Sequence, residues 1–113
     1  MKIYYCNYIT NKSIPFDKPV EMSYEEAARI FTDTLGAVIH SNSENFFGVE
    51  INPELAVQFV LLGHDKWLID IPMMDEGGTY TKECRHSECL EVIREIYNTG
   101  KGPSFDNFTF QEF

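Results

Sequence analysis

The chain has 113 residues, with 18 Asp and Glu against 9 Lys and Arg for a formal net charge of -9, and it is 43% hydrophobic and 14% aromatic. That length and apolar content suit a single domain over 1–113, which can hide roughly two-thirds of the surface its unfolded chain exposes, so disorder is excluded. Affinity for a phosphate backbone comes mainly from Lys and Arg; with acids outnumbering them two to one, neither nucleic acid nor an anionic membrane is an expected partner, whereas a basic protein would be attracted.

In chain order, Ile3, Tyr5 and Ile9 share one alternating face and Tyr4, Cys6 and Tyr8 the other, which predicts an aromatic first strand. Two prolines and little pattern make 11–19 a loop. Ser23 followed three residues later by Glu26 is a capping box that starts a helix. Ala27, Ile30, Phe31 and Leu35 form its apolar stripe, and Gly36 is its stop signal. From residue 37 the period shortens to two, so 37–40, 46–51, 57–62 and 66–71 read as four strands separated by Asn, Ser, Pro and Gly turns. Connections this short favour antiparallel neighbours.

A turn over 73–78 leads into a strand at 78–84. A second helix begins near Ser87, with Cys89, Val92, Ile93, Ile96 and Tyr97 on one stripe, and stops at Gly100 and Gly102 before Pro103. The closing aromatics Phe105, Phe108, Phe110 and Phe113 should pack back on the body, with Phe108 and Phe110 on one strand face. The expected class is α+β: a mainly antiparallel sheet of about five to six strands with two helices packed on one face.

No window approaches the roughly 20 apolar residues of a membrane span. The start, MKIYYCNYIT, lacks the apolar run of a secretory signal. Together with the odd count of three cysteines, this predicts free thiols in a reducing cytoplasm. The densest set of potential ligands is Cys84, His86 and Cys89. Zinc normally takes four protein ligands, or three and a water, and this spacing is not a standard knuckle. Cys89 also belongs to the apolar stripe of the second helix, where a free thiol serves as a small hydrophobe. A thiol nucleophile would need Cys6, Cys84 or Cys89 beside His40, His64 or His86, and no hydrolase elbow, dinucleotide fingerprint, Walker loop or zinc-protease motif is present. No cofactor is therefore expected, and a small metal- or thiol-dependent enzyme using Cys84, His86 and Cys89 stands as the alternative reading.

The remaining signal is surface charge. Most acids suit a solvated face, but Asp65, Asp70, Asp75, Glu76, Tyr80 and Glu83 are the candidate partner-binding residues. Asp70 interrupts Leu68-Ile69-Asp70-Ile71 and should point away from Ile69 and Ile71. Asp75 and Glu76 occupy the adjoining turn, and Tyr80 offers a side chain of the kind enriched at interfaces. Trp67 shares a strand face with Ile69 and Ile71, which favours the core.

The helix end Ile96-Tyr97-Asn98-Thr99-Gly100, then Pro103 and the closing Phe108-Thr109-Phe110-Gln111-Glu112-Phe113, resembles the first-numbered immunity-protein family of bacterial polymorphic toxin systems. The segment 67–80, with its Trp-Leu-Ile-Asp-Ile-Pro strand and Gly-Gly-Thr-Tyr turn, is similar to that family's central strand and turn. Phe110 stands where relatives carry a terminal Trp. The resemblance implies a non-enzymatic cytoplasmic antitoxin, with a monomer favoured, that occludes a cognate secreted toxin domain, a nuclease or nucleic-acid deaminase. A third reading is an acidic nucleic-acid mimic that inhibits a DNA-binding protein.

Overall fold

The computed structural model describes residues 1–35, 45–63 and 65–113, with the backbone alone for 33–35. Strands run over Lys2–Asn7 (β1), Lys12–Ile14 (β2), Val20–Glu21 (β3), Phe46–Asn52 (β4), Leu55–Gly63 (β5), Lys66–Met73 (β6), Gly78–Cys84 (β7) and Thr109–Glu112 (β8). Helices cover Tyr24–Arg29 (α1), continued by a π-helical stretch over Ile30–Leu35, and His86–Thr99 (α2). The class is α+β. Every strand pair is antiparallel, in the order β2-β1-β4-β5-β6-β7-β8, with β3 also on β1.

The described residues thus form eight strands, correcting the expected five to six. The excess comes from the segment read as a loop over 11–19 and its continuation. β2 pairs with the second half of β1 and β3 with its start, so the two share one edge. Strands of three and two residues are too short to show an alternation, and Pro15 and Pro19 fall between them, where no ladder amide is required. The expected strand over 37–40 and the stop at Gly36 lie outside the described residues. Strands at 46–51, 57–62 and 66–71 are present, each extended by one or more residues, and Gly78–Cys84 matches its expected bounds.

Register explains the core. Tyr5, Phe47, Phe59 and Ile69 stand opposite one another across β1, β4, β5 and β6, and Leu61, Trp67 and Cys84 form the next row. These residues are buried in one cluster with Ala27 and Phe31 of the first helix and Cys89, Ile93 and Ile96 of α2. Phe31 is its hub, with ring centroids 5.3 Å from Phe47, 5.9 Å from Phe59, and 4.7 Å from both Trp67 and His86. Trp67 is fully buried, as its alternation implied.

Helix termini follow their expected chemistry with one difference. The Glu26 amide donates to Ser23 Oγ at 3.3 Å, but the Glu26 carboxylate accepts from the Ser23 hydroxyl at 3.4 Å, whereas a full capping box has it accept from the Ser23 amide. The two helices are clasped by Tyr24 and Tyr97, edge to face at 5.7 Å, and by Tyr97 OH donating to the Met22 carbonyl at 3.1 Å. Burial, with Glu21 and Glu26 nearby, pushes the Tyr97 phenol up to about 12.

The other sheet face carries a polar row, with Tyr4, Gly48, Gln58, Asp70 and Thr81 opposite one another in turn. Asp70 points away from Ile69 and Ile71, as expected. The Tyr4 ring lies over Gly48 so closely that a Cβ there would collide with it, and Gln58 Nε2 donates to Tyr4 OH at 2.9 Å. Among the described residues no helix is long and apolar enough to cross a membrane.

Candidate functional site

The hairpin joining β6 to β7 is built to present its tip. Met73 pairs with Gly78, and Met74–Glu76 makes one 3-10 turn that ends on Gly77 at φ 72, a left-handed conformation glycine adopts without a Cβ clash. The tip therefore turns Met74, Asp75 and Glu76 outward, with Met74 79% exposed. β8 pairs Glu112 with Gly78, and the Phe113 amide donates to the Gly77 carbonyl at 3.1 Å. These bonds seat Phe113, 70% exposed, beside the tip.

The neighbouring β4–β5 turn is held by the Glu54 amide donating to Asn52 Oδ1 at 2.8 Å, an Asx-type turn. Between the two hairpin ends lies a groove of about 630 Å³, lined by Pro53, Glu54, Leu55, Met73, Met74 and Asp75 among others. Tyr80 braces this end: its ring stacks on Phe105 at 3.9 Å and its hydroxyl donates to Glu76 Oε1 at 2.9 Å. That hydrogen bond, with some burial, raises the Tyr80 phenol above its ordinary range and keeps it a donor. The result is a groove whose apolar lining is Leu55, Met73 and Met74 with Glu54 and Asp75 beside them, Glu76 in the same turn, and Glu112 and Phe113 on the end of β8 that is bonded to Gly78 and Gly77. None of the ion pairs among the described residues involves these four acids.

Of the sequence-derived candidates, Asp75, Glu76 and Tyr80 come together at this end. Asp70 accepts a hydrogen bond from Thr79 Oγ1 on the opposite face of the sheet from Tyr80. Glu83 shares that face and lies 3.9 Å from Lys66. Asp65 sits at the far end of β6, at φ 60, where its Oδ1 accepts from the His86 amide at 2.9 Å and caps α2. The six residues therefore do not make one patch. Sequence reasoning missed Met74, Phe113, Glu54 and Glu112. A signal existed in the Met73-Met74 pair directly before two acids, because apolar side chains in a turn have no core face to serve.

Cys84, His86 and Cys89 are only partly convergent. The sulfurs of Cys84 and Cys89 are 3.2 Å apart, while the His86 ring stacks on Phe31 with its planes 14° apart. Burial lowers the His86 pKa, opposed by Asp65. Among the described residues no three His, Cys, Asp or Glu side chains are placed to hold a metal ion. His40 and His64, the other possible bases, lie outside the described residues. In comparisons with known proteins, no family model, no curated protein and no solved structure matches this chain.

Proposed function

We propose that this protein is a non-catalytic inhibitor of the immunity-protein type, which neutralises a cognate toxin domain by occluding its basic, nucleic-acid-binding surface. The observation that carries the reading is the groove end of the sheet, where exposed Met74 shares a groove with Glu54 and Asp75, with Glu76 in the same turn and exposed Phe113 on the adjoining strand end. An apolar anchor inside a charged rim is the anatomy of a specific protein interface. The acids of this end, on a chain of net charge -9, would steer a basic partner toward it and disfavour an acidic one. The resemblance of 67–80 and of the C-terminal segment to immunity proteins supports the same class.

The test is to co-express the chain with the small C-terminal domain of a secreted protein encoded beside its gene. Growth should be rescued, and the purified pair should form a one-to-one complex. Reversing Asp75 and Glu76 to Lys should slow association about tenfold at low salt and much less at high salt, since exposed charges are screened within about a Debye length. Absence of both rescue and complex would overturn the proposed function. Binding with unchanged association kinetics in the reversed variant would move the interface elsewhere.

A further inference from the structure

The junction between β7 and α2 brings two thiols into contact for an identifiable reason. Arg85 is the N-cap of α2, with its amide donating to Glu88 Oε1 at 3.0 Å. Cys84 is then the residue before the cap and Cys89 the fourth in the helix, the pair of positions that a hydrophobic staple joins across a helix start. Here both staple residues are cysteines. Their sulfurs stand 3.2 Å apart, and closing about 1.2 Å would bring them to the roughly 2.05 Å of a disulfide. Cys84 ends β7 and Cys89 lies in the first turns of α2, so regular elements hold both residues.

The two sulfurs are not equivalent. Cys84 keeps 8% exposure and Cys89 none. The hydrogen bond it shares with Cys89 holds the Cys84 thiol below its usual range, against its own burial and the charges of Glu88 and Asp65, with Lys82 assisting. That same contact, then burial, pushes the Cys89 thiol up. A thiolate is the nucleophilic form of cysteine, so the less deeply buried residue of the pair also carries the more easily ionised thiol.

We propose that Cys84 and Cys89 form a redox-active dithiol that closes to an intramolecular disulfide on reaction with a hydroperoxide, with Cys84 attacking and Cys89 resolving. The Cys84 thiolate attacks the terminal peroxide oxygen. An S–O bond forms, the O–O bond breaks, and the leaving alkoxide takes a proton to depart as an alcohol, or as water when hydrogen peroxide is the oxidant. The Cys89 sulfur then attacks the Cys84 sulfenic sulfur: an S–S bond forms, the S–O bond breaks, and hydroxide leaves with the Cys89 proton as water. The sulfurs lose two electrons in total and the peroxide gains them; an external dithiol reverses the change.

The test uses the full reduced chain and hydrogen peroxide, with circular dichroism confirming that it stays folded. Intact mass should fall by two hydrogens and return with dithiothreitol. Tryptic digestion without reductant should yield 83–85 joined to 86–94, forming about tenfold faster than Cys6 is lost. In a Cys89→Ala variant, the sulfenic acid should accumulate at Cys84, where a sulfenic-acid-specific reagent traps it. In a Cys84→Ala variant, Cys89 should stay reduced. The assignment falls if the wild-type chain retains both thiols while Cys6 oxidises, or if Cys89 oxidises as readily without Cys84 as with it.

Discussion

β6 and β7 run side by side from Trp67 opposite Cys84 to Met73 opposite Gly78, and their two ends are finished in opposite ways. At the first end α2 begins, and Asp65, Trp67, Cys84 and His86 turn their chemistry inward: the carboxylate caps the helix, the indole and imidazole pack on Phe31, and the thiols meet. At the second end the same kinds of residue, acids beside large apolar side chains, turn outward, and the internal contact of Glu76 with Tyr80 leaves Met74 and Phe113 in solvent. Residue type alone therefore does not mark a binding surface. What marks it is whether the fold has already used the group.

The sharpest way to break this contrast is truncation at both ends. Trp67→Ala should lower unfolding free energy by about 3–5 kcal/mol, since it opens a cavity in the core. Met74→Ala should change it by no more than about 0.5 kcal/mol, as expected for an exposed site. Urea denaturation of the two variants measures both, and equal losses would mean that the hairpin tip is part of the packed structure.

A second substitution asks how far close packing extends onto the face away from the helices. Gly48→Ala places a methyl where the Tyr4 ring now lies, so the ring must leave Gly48 and its hydrogen bond with Gln58. The expected cost is about 1–3 kcal/mol, as for other overpacked sites. A neutral result by thermal denaturation would show that Tyr4 swings away freely and that this face is not packed.

Asp65 tests the closed end by charge. Asp65→Gly suits the positive φ but deletes the cap, and should cost about 1 kcal/mol, within the range for lost N-caps. Asp65→Asn retains an acceptor and tolerates that backbone conformation, so it should cost less than half as much. If the two variants lose equal stability in chemical denaturation, the charge at the start of α2 contributes more than the hydrogen bond.

How much of this was legible depended on whether a signal was local. The long strands announced themselves because Val57, Phe59 and Leu61, then Trp67, Ile69 and Ile71, alternate over enough residues to define a face. The starts of both helices were readable at close range, although the six residues Ile30–Leu35 wind as a π-helix, which an apolar stripe at 3.6-residue spacing does not reveal. β2 and β3 were invisible because their pairing is set by the edge of β1 and not by their own composition. The acid groups were visible, but their roles were not: Asp65 precedes its helical partner His86 by 21 residues, so its use as a cap exists only in three dimensions. The thiol contact was within reach, since a pair spaced by five residues across a strand-to-helix junction is the staple spacing.

The smallest expected effect is a pH dependence confined to the closed end. His86 lies against Phe31 and Trp67, and its Nδ1 is buried with no hydrogen-bond partner among the described residues. Burial lowers its folded-state pKa below the ordinary 6.5, while the nearby Asp65 carboxylate resists that shift. Between the lowered pKa and 6.5 the unfolded chain binds more protons than the folded one, so stability rises with pH there and is lost as pH falls through that window. His86→Phe keeps a ring against Phe31 but cannot be protonated, and should flatten the fall in urea midpoint just below pH 6.5. The loss that remains at lower pH would then belong to carboxylates such as Glu21, whose bond to the terminal ammonium lowers its pKa. If the His86→Phe profile matches the wild type throughout, the imidazole is solvated well enough to charge in place, and the closed end is more open than its packing implies.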